Sequence, residues 1–213
     1  MTELLQSVRV LDLSRVLAGP LCTMMLGDLG AEVIKVERPA TGDETRGWGP
    51  PFDERGESAY YLSVNRNKKS VVADLDRDAD RAMILELARG ADVVVDNFRR
   101  GTLERRGIDP DDLLREKDSL IWCTITGFGS HSDRVGYDLV VQAESGWMSI
   151  TGEPDGDPLR VGVALADIIA GKDAAIAILG VLAARGLRGG APLELAQRRI
   201  HISLAHSATA ALI

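Results

Sequence analysis

Asp92-Val-Val-Val-Asp96 places apolar residues on consecutive positions, so a strand there buries both of its faces. Strands of that kind occur in parallel sheets covered by helices on both sides. No other stretch restricts the fold as strongly. Around it, residues 8–13, 32–37, 70–75, 120–126 and 199–203 read as further strands. Residues 21–29, 78–89, 138–148 and 167–186 read as helices, as does a segment opened by Asp109-Pro-Asp-Asp112. Pro20 suits a first helical turn and Gly30 the position just past a helix end. The alternation predicts an α/β fold: a doubly wound (Rossmann-like) parallel sheet with flanking helices, its ligand at the carboxyl ends of the strands.

Residues 39–67 interrupt the pattern with a long polar stretch rich in Gly, Pro and Arg. A loop of that length in a compact domain is either functional or disordered, and Trp48, Tyr60 and Tyr61 within it argue for order. At the other end, residues 203–213 read as a strand end running into an apolar helix with no Gly, Pro or charged last turn to stop it. The expectation is that the chain is the front part of something longer.

Several function classes drop out on composition. The net charge is −7, with 32 acidic against 25 basic residues and no Lys/Arg block, which disfavours a nucleic-acid surface. The amino-terminal ten residues have neither the basic start nor the apolar core of a signal peptide. The longest apolar run, residues 174–184, is too short for a bilayer span. Two cysteines, Cys22 and Cys123, lack C-x-x-C spacing and read as buried thiols in a reducing compartment, so a cytoplasmic location is expected. His131, His201 and His206 have no metal-ligand spacing, and no metal site is expected. Asp109, Asp111 and Asp112 read as helix-start capping residues.

The usual nucleotide signatures are missing too. The turn after the first strand is Arg15-Val-Leu-Ala-Gly-Pro20, not G-x-G-x-x-G, and no phosphate-binding P-loop is present. Ser145-Gly146 lacks the G-x-S-x-G elbow of serine hydrolases. Small residues at Ala18-Gly19-Pro20 make either a plain tight turn or a place where a ligand approaches a helix start. Arg38, Asn97, Phe98 and Arg105 follow strands, where ligands gather in such sheets. They suit an adenine nucleotide with phosphates, or they are surface arginines and a core Phe. Asn65-Arg-Asn-Lys-Lys-Ser70 is a solvated turn or a phosphate contact. Asp167 ends the mostly apolar run Val161-Gly-Val-Ala-Leu-Ala-Asp167 at the start of an Ala/Ile/Leu-rich helix. There it is an ordinary N-cap, or a carboxylate held ionised by free N–H groups and able to attack an activated acyl group.

Many ordered blocks carry a family resemblance that spans most of the chain. Among them are Arg9-Val-Leu-Asp-Leu-Ser14, Leu17-Ala-Gly-Pro20, Leu26-Gly-Asp-Leu-Gly-Ala31 and Val33-Ile-Lys-Val-Glu-Arg38. Further on come Gly42-Asp-Glu-Thr-Arg-Gly-Trp48, Thr126-Gly-Phe-Gly129, Gly136-Tyr-Asp138 and Gly162-Val-Ala-Leu-Ala-Asp167. The sequence resembles the class III CoA-transferases (the CaiB/BaiF type), a family that also includes the α-methylacyl-CoA racemases. The resemblance implies that residues 1–213 are the N-terminal part of a large CoA-binding domain, with the family's small domain and C-terminal return segment absent. It implies Asp167 as the nucleophile. Val16, Leu17 and Ala18 would line the CoA pocket at the first turn, Arg38, Ala73, Asn97, Phe98 and Arg105 would hold the nucleotide, and Tyr137 would sit beside the thioester.

The reaction so implied moves CoA from an acyl-CoA donor to a small carboxylic acid through an aspartyl-CoA thioester, with no permanently bound cofactor. The working form would be a homodimer, interlocked in relatives. Racemases carry a His where this chain has Tyr137, and Tyr is a poor base near neutral pH, which favours the transferase. Leu17 replaces the Gln of the formyl-CoA branch and argues against oxalate as acceptor. The stretch 42–65 looks most like the branch using succinyl-CoA and dicarboxylic acids. The alternatives are an acyl-CoA racemase or epimerase, and an inactive truncated CoA-binding module.

Overall fold

The chain opens with β1 (Arg9–Asp12), α1 (Ala18–Asp28) and β2 (Glu32–Glu37). A 3-10 turn (Glu44–Gly47) and α2 (Ala59–Asn65) lead to β3 (Lys68–Val72), and α3 (Asp78–Gly90) leads to β4 (Val93–Asp96). Then come α4 (Pro110–Glu116), β5 (Ile121–Thr126), α5 (Asp138–Glu144), α6 (Leu165–Leu187), α7 (Leu195–Arg198), β6 (Arg199–Ser203) and α8 (Leu204–Ala210). These elements are those of a computed structural model that describes residues 4–213, so the first three residues of the amino-terminal run considered above lie outside the described residues. All six strands run parallel in one sheet of order β3-β2-β1-β4-β5-β6. The order reverses between β1 and β4, and that reversal opens the crevice where ligands bind in sheets of this kind.

Period-two alternation sorts the core into two layers. Val10, Val33, Val93, Val95, Ile121 and Cys123 belong to one cluster, with Leu26 of α1 and Ala170, Ala174 and Ile178 of α6. Leu11, Val94 and Trp122 belong to the other, with Ile84 and Ala88 of α3 and Leu114 of α4. Each fully buried large aliphatic side chain contributes about 1.5–3 kcal/mol by leaving water. Both cysteines are buried and free. Among the described residues no helix is long and apolar enough to cross a membrane.

Most expected elements form, with shifted ends, but four readings need correction. The 39–67 stretch is not loop throughout: Ser58 accepts from the N–H groups of Tyr60 and Tyr61 and starts α2. Seven residues are too few for a helical period to show in sequence. The helix expected over 138–148 ends at Glu144 and gives way to a 3-10 turn at Trp147–Ser149, after Gly146 takes a left-handed conformation. The third strand begins at Lys68, two residues early, because its register is set by pairing with β2. Lys68 itself points inward, 2.9 Å from the buried carboxylate of Asp12, so it is neither a solvated turn residue nor a phosphate contact. Asp109 does cap α4.

Candidate active site

At the crevice, Asn97 at the end of β4 ties down the turn after β1. The Arg15 N–H donates to its Oδ1 at 2.9 Å, and its Nδ2 donates to the Arg15 carbonyl at 2.7 Å. The next residue, Val16, has φ = 70°, a left-handed conformation that costs a β-branched residue of order 1–3 kcal/mol. Its N–H faces both carboxylate oxygens of Asp43, at 3.3 and 3.4 Å. Asp43 is buried and also binds Lys35 Nζ at 2.9 Å, while Lys35 donates to the Ser14 carbonyl at 2.8 Å. The strained turn therefore rests on a buried ion pair. Beneath it, burial pushes the Asp12 carboxyl up, but Lys68 and Lys35, together with hydrogen bonds from the Ser14 and Thr23 hydroxyls, hold it well below the usual carboxylate range.

α6 crosses α1 at very close range. A Cβ on Gly171 would sit 2.6 Å from the Ala18 carbonyl oxygen, so only glycine permits this approach. It brings the first turns of both helices to Asp167. Asp167 is not the N-cap of α6: Ala164 holds that position, and Asp167 lies three residues into the helix. The carboxylate of Asp138, from the start of α5, accepts instead from the N–H groups of Ala166 (2.7 Å) and Asp167 (3.3 Å). The expectation that free N–H groups hold Asp167 ionised is also corrected. Burial, and then the negative charge of Asp138, push its carboxyl up to about 7, against the opposing pull of the Ala18 backbone N–H. A carboxyl so poised is part ionised at neutral pH and poorly hydrated, which suits nucleophilic attack or proton transfer.

Two clefts meet at the crevice. One, of about 260 Å³, is lined by Val16, Ala18, Asn97, Phe98, Tyr137 and Asp167 among others. The second, of about 360 Å³, is lined by Arg38, Ala73 and Phe98, and also by Asp43. Phe98 and Arg15 border both, with the guanidinium 5.5 Å from the ring centroid. Leu17 lies behind the turn, packed with Met24 and Val64. Arg105 is exposed and borders neither cleft, whereas Arg106 lines the second. Arg15 Nε and Glu44 Oε2, both on the Asp167 cleft, are buried without a hydrogen-bond partner. Unsatisfied polar atoms at a cleft are what a polar ligand completes.

The sequence alone gives no role to Arg15, Glu44, Asp43 or Asp138, although each lies in or beside a conspicuous motif. In the sequence Tyr60 stands out only as an aromatic that favours an ordered loop. Its hydroxyl is pushed up to about 12 by burial and then by the charges of Asp167, Asp138 and Asp43, and its ring packs in the cluster that holds Leu17 and Ile168. Among the described residues no group of three or more His, Cys, Asp or Glu side chains is set to hold a metal.

Fold and cleft define an α/β protein with a half-dry carboxyl at the switch point of a doubly wound sheet. The family follows from comparison: residues 5–211 match CoA-transferase family III, and the chain belongs to that family. It is 50% identical over 186 residues to a succinate–glutarate CoA-transferase of Agrobacterium fabrum, covering 84% of this chain and 46% of that protein. It is 51% identical over 181 residues to the human succinyl-CoA:glutarate CoA-transferase, covering 84% of this chain and 41% of that protein. A crystal structure of a CaiB/BaiF family protein from Brucella suis superposes with a TM-score of 0.89 at 41% identity, over 99% of this chain and 55% of that one. The chain thus spans about half the length of the relatives it matches.

Proposed function

We propose that residues 1–213 are the nucleophile-bearing part of the large CoA-binding domain of an enzyme that transfers CoA from an acyl-CoA, with succinyl-CoA as the favoured donor, to a small carboxylic or dicarboxylic acid. The observation that carries this reading is the carboxyl of Asp167, pushed up to about 7 in a cleft that continues past Phe98 into a second chamber. Relatives at about half identity bear the names of succinyl-CoA and glutarate transferases.

In this mechanism the Asp167 carboxylate attacks the donor thioester carbonyl. The C–S bond breaks, CoA leaves as thiolate, and a mixed anhydride remains on Asp167. The thiolate attacks the aspartyl carbonyl, releasing the donor acid and leaving an aspartyl-CoA thioester. The acceptor carboxylate then displaces the thiolate to form a second anhydride. Thiolate attack on the acceptor acyl carbon yields the new acyl-CoA and restores Asp167. Each step keeps the acyl group activated, so water must be kept out. The Ala18 N–H, whose hydrogen bond favours the charged form of Asp167, would share developing negative charge on the aspartyl oxygen. Arg15 Nε, buried and unpaired, offers a donor to an anionic part of the substrate.

Incubation with succinyl-CoA and a panel of carboxylic acids, read by CoA-ester mass, tests the reaction directly. Hydroxylamine should trap Asp167 as a hydroxamate, and Asp167→Ala should abolish transfer. Transfer that persists in Asp167→Ala would sink the reading. Tyr137 at the racemase base position predicts no α-deuterium wash-in in D₂O. The clefts that share Arg15 and Phe98 also fit a second reading, a CoA-binding module, for which calorimetry would show CoA binding by this chain without turnover. As partners we propose the two substrates and a second copy of the chain. The exposed Ile176 and Leu187 on α6 offer apolar surface for such a contact.

A further inference from the structure

Asp138 stands at the first position of α5, yet one of its carboxylate oxygens serves a different helix. Oδ1 accepts from the Ala166 and Asp167 N–H groups in the first turn of α6. Oδ2 accepts from Gln142 Nε2 at 2.6 Å, one helical turn along α5. Gln142 is fully buried and every polar atom of its side chain is engaged. Nε2 also donates to the Val163 carbonyl at 3.1 Å, and Oε1 accepts from the Val161 N–H at 2.8 Å. One polar clamp on α5 therefore holds both the approach to α6 and its first turn.

The clamp is itself anchored. Gly127 and Gly136, at the two ends of the loop before α5, touch backbone to backbone: a Cβ on Gly136 would lie 2.0 Å from the Gly127 Cα. That contact fixes where α5 begins, and so where Asp138 stands.

We propose that Asp138, held by Gln142, is a positioning residue for Asp167: it occupies the N–H groups of the α6 start that Asp167 would otherwise bind, leaving the Asp167 carboxylate free for the cleft. A helix start attracts the nearest carboxylate, and here a neighbour takes that place. The charge of Asp138 then opposes ionisation of Asp167, adding to the effect of burial. From the other elements, Tyr60 on α2 packs in the cluster that holds Leu17 and Ile168 and feels the charge of Asp167, and Arg15 and Arg134 line the Asp167 cleft, paired with Glu44 and Glu144 respectively. Asp133, Arg99 and Arg100 complete the charged lining. Asp138 is the charged group that accepts a hydrogen bond from the backbone N–H of Asp167 itself.

The inference stands on the hydrogen bonds of α5 and α6 and can be tested on this chain without substrate, so its failure is separable from failure of the transferase reading. The test is a ¹³C NMR titration of the Asp167 carboxyl, assigned by its loss in Asp167→Asn. Wild type should titrate near neutrality. In Asp138→Asn, which keeps the accepting oxygen but removes the charge, the midpoint should fall by about one pH unit or more. A wild-type midpoint in the ordinary carboxylate range, or the same midpoint in both proteins, would overturn the proposal. Hydrogen exchange supplies a second arm. Amide protection at Ala166 and Asp167 should drop at least about tenfold in Asp138→Ala and persist in Asp138→Asn. Unchanged protection in Asp138→Ala would equally overturn it.

Discussion

The ammonium of Lys35 lies 2.9 Å from the carboxylate of Asp43, with side chains 1% and 0% exposed, directly beneath the strained Val16. Removing one member of such a pair strands the other charge in a dry environment, at a cost of about 3–5 kcal/mol. Lys35→Met should therefore lower the free energy of unfolding by that order in urea titrations. CoA binding should weaken as well, since Asp43 holds the Val16 N–H. A variant as stable as wild type would show that the pair contributes little.

Asp167 makes stability depend on pH in the direction opposite to a salt-bridged carboxylate. Its folded-state carboxyl takes up a proton at about 7, whereas an unfolded chain does so near 4. Below about pH 4 both states are protonated and the site has no electrostatic cost. Between about 4 and 7 the folded state holds a proton the unfolded state lacks, so stability falls as pH rises. Asp167→Asn should match wild type near pH 4 and exceed it at pH 8 by about 2–4 kcal/mol, at roughly 1.4 kcal/mol per pH unit. Parallel unfolding curves at the two pH values provide the check.

Backbone contact between Gly127 and Gly136 leaves no room for a methyl group on either. Gly136→Ala should lower stability by about 1–3 kcal/mol, as overpacked cores do. Displacement of α5 should also raise amide exchange at residues 161–163, which Gln142 staples in place. Gly47→Ala, where a Cβ meets nothing within 4 Å, serves as the contrast and should be close to neutral.

Arg38 lines the second cleft, and among the described residues its one ion pair is with Glu44, at 3.4 Å. If that chamber receives the phosphates of CoA, Arg38→Ala should weaken CoA binding about tenfold, with a smaller loss at high salt. Arg105→Ala, outside both clefts, should bind CoA like wild type. Isothermal calorimetry at two salt concentrations distinguishes these outcomes, and the reverse ranking would move the nucleotide elsewhere.

Much of this protein was legible along the chain. Val93–Asp96, buried throughout, announces a parallel sheet, and β2 forms over the residues its alternation indicates. The blocks carrying the family resemblance led to Asp167 and to the first turn. Period-two and period-3.6 patterns record which face of an element meets the core, and short motifs record local backbone demands. Both are properties of neighbouring residues, so sequence contains them. The short α2 was not legible, because its start depends on one serine cap and its position on packing.

The state of Asp167 was decided elsewhere. An apolar run ending in Asp at a helix start reads as a cap or an ionised carboxylate. Instead Asp138, 29 residues earlier, takes the helix-start N–H, and Gly171 admits the Ala18 backbone to the site. Lys68 likewise turned from an apparent surface residue into the partner of Asp12. Local sequence determines which dihedral angles and burial patterns are favourable, and through them the elements and their order. Competition for a single N–H group, and the charge a carboxyl keeps in a dry crevice, depend on distances between residues far apart in the chain, and only the folded packing sets those distances.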